Sequence, residues 1–213
     1  MRRSNFTLVE VLLALGVVVI GVCSIMVLFP VGANATRDAS METYSADSVD
    51  ELLSGIKYHL LNGKWTDYVG TGADGTNGSI DSLGTSGEAD ARFNGKKEGY
   101  DSLTESSDWE NVTINTKSGF YKYNDSSRAG KEDVYQLVCY RDSSKSLTED
   151  SVDFRAIARV AKSKVNIRIN GTDNNIGFDK AVCLNVEVSW PAEAPFDARQ
   201  KAYYSMEVFN VED

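Results

Sequence analysis

A single carboxylate, Glu10, stands in "NFTLVEVLLALG" (residues 5–16), among the most apolar residues of the chain. A carboxylate at the centre of a bilayer costs about 2.5–3.5 kcal/mol on insertion scales and less near the interface, so such a group usually faces a partner. Two readings fit. Near an interface the side chain snorkels to water; deeper, it needs a cation from another copy of the helix or from a freed N-terminal amine. Other chemistry-bearing residues are few. Cys139 and Cys183 lie in strand-like runs. In an oxidising compartment they make a disulfide, and two buried free thiols fit the same runs. Cys23 lies in the apolar stretch and reads as a small apolar residue. His59, the one histidine, sits beside an apolar helical stripe and reads as a helix-surface or half-buried residue, not a base. Asp74, Thr76, Asn77 and Asp81 offer oxygen ligands for calcium, but lack the D-x-D-x-D-G spacing and terminal Glu of a calcium loop. No nucleophile elbow, H-E-x-x-H or phosphate loop is present, and no Cys pair has metal-ligand spacing. The adjacent carboxylates Glu149/Asp150 and Glu212/Asp213 read as solvated. The sequence therefore points away from an enzyme, a cofactor and a metal centre.

The element that carries Glu10 is the clearest in the chain. From Val11 to Phe29 there are nineteen residues and no charge. As a helix this is about 28 Å, close to the thickness of a bilayer core. It is too long for the usual apolar region of a cleaved secretory signal, and no A-x-A-like site follows. It reads as a retained membrane-spanning helix. Arg2 and Arg3 precede it, which places the N-terminus in the cytoplasm and exports the rest. Setting aside Arg2, Arg3 and Glu10 leaves 20 basic and 30 acidic residues, a net of −10. That argues against a nucleic-acid partner, which needs a basic face, and reads as a solubility device.

"FTLVEVLLALGVVVIGV" (Phe6 to Val22) resembles the N-terminal segment of type IV pilins and pseudopilins: a short basic leader, a Phe, Thr/Ser-Leu-Ile/Val-Glu, then a long apolar helix. The likeness covers about 26 of the 213 residues. It implies that Met1 to Asn5 are a leader, that a prepilin peptidase cuts before Phe6 and methylates its new amine, and that Glu10 pairs with an N-terminal amine to set the register of an entering subunit. In a low-dielectric bundle such a bridge is a better device for register than for stability. The family usually carries Gly before the cut, and this chain carries Asn5. That departure points to slow processing or an uncut chain. "LFPVG" (28–32), "VSWP" (188–191) and the later "YYSMEV" resemble segments of minor-pilin-like proteins.

The rest of the chain must position an exported domain. Pro30 and Gly32 interrupt the helix; a proline there kinks or ends it, and the resemblance allows a kinked, continuing helix. Val49, Leu52, Leu53, Ile56 and Leu60 form an amphipathic stripe opposite Asp47, Asp50 and Glu51, with Gly63 as a C-cap. "GTGADGTNGSIDSLGTSGEADARFNGKKEGYD" holds eight of the seventeen glycines and reads as an irregular connection. Strands follow at 110–116, 133–142, 153–161, 164–170, 181–190 and 201–211, with period-2 alternation in "KVNIRIN" and "AVCLNVEV". Tyr121, Tyr123, Tyr135, Tyr140, Trp190, Tyr203 and Tyr204 read as strand packing residues.

The expected architecture is α+β: a long N-terminal hydrophobic helix packed on a mostly antiparallel sheet, one face on the helix and one wet. Its parts are a leader (1–5), a membrane or filament-core helix (6–31), an amphipathic helix (32–63), a Gly/Ser/Asp-rich connection (64–109) and a sheet domain (110–213). The expected role is a structural subunit, somewhat more a minor than a major one, of a type IV pilus-like or type II secretion pseudopilus-like filament. Its partners would be other pilin-like subunits, the prepilin peptidase and inner-membrane lipid. The competing expectation is a single-pass anchored binding domain that does not assemble.

Overall fold

The computed structural model describes residues 7–80, 82–83, 109–114, 117–123, 134–140 and 152–211. The leader, Phe6, Asp81, Glu149/Asp150 and Glu212/Asp213 lie outside them. The fold is α+β. The chain forms two units, Met1–Thr43 and Tyr44–Asp213.

Helix α1 runs Leu8–His59, and apart from Thr7 its first part makes up the described residues of the first unit. Pro30 lies inside α1 and does not end it. Every described residue up to Ser40 is exposed, including the apolar side chains from Leu8 to Val31. Ser24 Oγ donates to Ile20 O at 2.8 Å, so the one hydroxyl among these apolar residues satisfies itself on its own helix. By length and composition this helix can cross a membrane.

The second unit begins with the rest of α1, whose stripe behaves as its spacing requires. Val49, Leu52, Leu53, Ile56 and Leu60 are buried, while Asp47 and Asp50 are exposed. One wide turn, Leu60–Lys64, follows; Gly63 takes φ 84°, where a Cβ would be strained, and the helix is interrupted there. A short helix, α2 (Trp65–Tyr68), leads into a tight hairpin of β1 (Gly70–Thr71) and β2 (Thr76–Asn77). The first part of the expected irregular connection is therefore built and packed, with Trp65, Val69 and Ile80 buried.

Six strands form one fully antiparallel sheet: β3 (Trp109–Ile114), β4 (Lys117–Tyr123), β5 (Val134–Tyr140), β6 (Val152–Ser163), β9 (Ala181–Trp190) and β10 (Gln200–Phe209), in the spatial order β10-β9-β6-β5-β4-β3. "KVNIRIN" does not join this sheet. It gives β7 (Asn166–Ile169), which pairs with β8 (Thr172–Asn175) in a separate hairpin. Asn170 and Gly171 take φ 51° and 84° at its turn, the backbone of a two-residue hairpin loop. Ile167 and Ile169 are 40% and 56% exposed, so their alternation does not mark a buried face.

The sheet has two apolar faces, where one wet face was expected. On the helix side Phe154, Ala156, Ala158 and Val160 of β6 lie in register with Leu137 and Tyr135 of β5 and with Val186 and Val188 of β9, all buried. Tyr44 of α1 packs on Phe154 with ring centroids 6.0 Å apart. On the far side Trp109, Tyr121, Val134, Val138, Ile157 and Ala192 form a second buried cluster, joined by Tyr123, Tyr140 and Val152. The hydroxyls of Tyr121 and Tyr140 are hydrogen-bonded within it. The loop after β9 lies over this side. Ala192 N–H donates to Arg155 O at 3.0 Å, and Arg155 pairs with Glu193 at 3.4 Å. Arg199 donates to the carbonyls of Ala194 and Ala192 at 2.7 and 2.8 Å.

Candidate functional site

Glu10 sits in the first turn of α1. Thr7 precedes that helix, and Glu10 N–H points at both Thr7 O (3.0 Å) and Thr7 Oγ1 (3.4 Å). Thr7-Leu8-Val9-Glu10 therefore has the spacing of a capping box, with the hydroxyl of the cap residue accepting from the third helical N–H. The positive end of the helix dipole lies at the same turn, which favours a carboxylate there by about 0.3–1 kcal/mol. Sequence reasoning treated Glu10 as a lone charge in an apolar run and missed this local support, although T-x-x-E was its visible signal. The carboxylate is exposed, on a helix with no apolar cover, and available to a partner. Asn5 and Phe6, the processing residues, lie outside the described residues.

The disulfide expectation is corrected. Cys139, on β5, pairs in register with Phe154, and Cys183, on β9, pairs with Ser163. Those two β6 positions are nine residues apart, about 30 Å of strand, and lie on opposite faces of the sheet. No bridge spans that, and both thiols are free. Cys139 Sγ lies 3.6 Å from Ser48 Oγ of α1. Burial pushes the Cys139 thiol above the ordinary range; the contact with Ser48 opposes this, and Glu51, Asp47 and Asp153 add to it. Burial likewise raises Cys183, opposed by Ser163. Both pKa values are raised on folding, so the stabilisation is complete below the unfolded thiol pKa of about 8.5 and is lost as pH rises toward the folded values. The expected results are an unchanged mobility on non-reducing gels and slower iodoacetamide labelling of Cys139 and Cys183 in the folded chain than in urea. A protected, non-alkylating pair would contradict this geometry.

Of the calcium candidates, Asp74 pairs with Lys164 at 3.1 Å, and Asp81 lies outside the described residues. The loop's inward oxygens face an ammonium group. Lys162 Nζ donates to Val69 O at 2.6 Å and Gly75 O at 2.9 Å, and it lies 5.4 Å from the centre of the Phe178 ring. No group of three or more acidic, His or Cys side chains fit to hold a metal occurs among the described residues. The glycines make room for this arrangement: Gly75 has φ 61°, and a Cβ there would come within 2.8 Å of Val69 O and 2.9 Å of the Phe178 ring. Trp65 Nε1–H closes the region with a 2.8 Å bond to Phe178 O. His59 stacks on Tyr68 at 6.4 Å and meets Tyr58 edge-on at 5.8 Å, as a helix-surface aromatic. Trp190, Tyr121 and Tyr135 are buried, as packing residues should be, whereas Tyr203 is exposed.

The structure thus gathers no set of acid, base and nucleophile among the described residues. What it offers for function is an exposed apolar helix with one carboxylate at its start, and a two-cored antiparallel sheet beyond it. No protein-family model, no curated protein and no solved structure matches this chain.

Proposed function

We propose that the chain is a structural subunit of a type IV pilus-like or type II secretion pseudopilus-like filament, in the role of a minor (pseudo)pilin. It is held in the inner membrane by the first part of α1, with its N-terminus cytoplasmic and its sheet domain exported, until it assembles. The observation that carries this reading is Glu10 in the first turn of a helix whose large apolar side chains from Leu8 to Val31 are exposed, followed in the chain by an antiparallel sheet domain. So large an apolar surface calls for lipid or for other helices. The N-terminal resemblance from Phe6 to Val22 supports a filament of like helices. In this role Glu10 sets register, the apolar helix forms the filament core and the sheet gives contact specificity; the mechanism is assembly, not catalysis.

Asn5, in place of the family's glycine, favours a second reading: an uncut, single-pass anchored domain that does not assemble. The deciding measurement is the intact mass of the chain from its native membrane, with fragmentation of its N-terminus. A chain that begins at Phe6 and carries one extra methyl group on its amine is the expected result. A chain that still begins at Met1 overturns the processed-subunit reading and leaves the anchored domain.

A further inference from the structure

Three Asn-Gly pairs lie among the described residues: Asn62-Gly63, Asn77-Gly78 and Asn170-Gly171. An asparagine before a glycine has a nucleophile next to it. The backbone nitrogen of the glycine can attack the side-chain amide carbon and close a five-membered ring, and glycine puts no side chain in the way. The three pairs differ in how far their backbone is free to do this. Asn62 Nδ2 donates to Tyr58 O at 2.6 Å, beside the buried Leu60. Gly78 is packed on Val69, so that a Cβ there would come within 2.5 Å of the Val69 carbonyl. The next two N–H groups, of Ser79 and Ile80, donate to Asp67 O and Tyr68 O at 2.9 and 3.0 Å. Asn170-Gly171 has no such ties. It is the apex of the β7–β8 hairpin, whose strands are exposed at every residue. A Cβ built at Gly171 meets nothing within 4 Å.

We infer that Asn170 is a site of self-modification, with water as the only added reactant. Gly171 N loses its proton to solvent base and bonds to Asn170 Cγ. The Cγ–Nδ2 bond breaks and ammonia leaves, giving a succinimide. Water then adds to one of the two ring carbonyls. Opening one C–N bond leaves an aspartate. Opening the other leaves an isoaspartate, whose main chain runs through the side-chain carbon and is one atom longer. The closed turn does not react. With φ of 51° and 84° at its two residues it is a type I′ turn, which holds the asparagine ψ at about 30° and turns the glycine nitrogen away from Cγ. Reaction therefore needs the turn to open. A two-stranded hairpin standing alone is marginal in water, and these two strands bury no residue, so little free energy opposes local opening. Once an isoaspartate lengthens the two-residue turn, the register from Asn166 opposite Asn175 to Ile169 opposite Thr172 no longer fits it. The hairpin thus records the age of the chain as a local loss of structure. This inference concerns the β7–β8 hairpin alone and is independent of processing at Phe6 and of filament assembly.

The test holds the full chain in detergent micelles at mildly alkaline pH in heavy-oxygen water and follows each asparagine by peptide mass mapping. Asn170 should take up heavy oxygen, with isoaspartate among its products, at least about tenfold faster than Asn62 or Asn77. A staple then tests the need for opening. Arg168 and Asp173 face each other across the hairpin. Arg168→Cys/Asp173→Cys, in a background with Cys23, Cys139 and Cys183 replaced by serine, can be oxidised to lock it shut. The oxidised staple should slow the conversion of Asn170 by about tenfold or more, because the open state is removed, and reduction should restore the rate. Conversion of Asn170 no faster than that of Asn62 and Asn77, or at one rate with the staple oxidised and reduced, overturns the inference.

Discussion

Lys162→Met should lower the stability of the sheet domain by about 2–4 kcal/mol, while Lys164→Met, two residues away, should cost less than about 1 kcal/mol. The difference lies in what each ammonium holds. Lys164 pairs with a largely exposed Asp74 at 3.1 Å, where solvent screens the attraction. Lys162 is 3% exposed, and its Nζ bonds the backbone carbonyls of Val69 and Gly75. Methionine has nearly the same length and fills the space, so no cavity term arises. It has no donor, so two buried carbonyls lose a partner, at about 1–3 kcal/mol each. Burying the ammonium is itself costly, and its removal returns part of that. The carbonyls belong to the backbone and cannot be removed with it, so the loss wins. The check is urea unfolding of the full chain in micelles, followed by tryptophan fluorescence. Trp65 reports on the region directly, since its indole N–H is bonded to Phe178 O. Equal midpoints for the two variants would show that Lys162 is not the tie between the β1–β2 hairpin and the sheet.

Lys162 also shows where the sequence stopped being legible. In "RVAKSK" a lysine at a strand position reads as an outward polar residue. That it turns inward depends on a hairpin about ninety residues earlier, whose carbonyls it satisfies, and no local pattern carries that. Elements whose burial is one-sided were legible. The stripe Val49 to Leu60 and the run Val182 to Val186 bury the residues their periods select. "VYQLVCY" and "FRAIARVA" are buried on both faces, so their near-continuous apolar content hid the second core of Trp109, Tyr121 and Ile157. β8, "TDNN", has almost no strand propensity and forms because the Asn170–Gly171 turn sets it against β7. At the helix start the sequence marked Glu10 as unusual. The geometry of Thr7, whose hydroxyl accepts from Glu10 N–H, places Glu10 at a helix start, where the dipole favours a carboxylate.

That support sharpens the test of Glu10. If the carboxylate serves only its own helix end, Thr7→Ala and Glu10→Ala should have similar effects. Each would cost up to about 1 kcal/mol of local helix stability and leave association untouched. If it sets register by pairing with an amine on a neighbouring subunit, the two variants separate. Both chains should still insert, because removing a carboxylate makes insertion easier and removing a hydroxyl barely changes it. Glu10→Ala should then reduce incorporation into filaments by about tenfold or more, since even 1.4 kcal/mol of lost pairing is a factor of ten. Glu10→Gln should behave like Glu10→Ala, because it keeps size and polarity but loses the charge that an ammonium requires. Thr7→Ala should assemble nearly as well as the unaltered chain. The measurement is the ratio of filament-bound to membrane-bound protein for each variant, co-expressed with the unaltered chain. Normal incorporation of Glu10→Gln would remove charge pairing from the account and leave Glu10 as a helix cap.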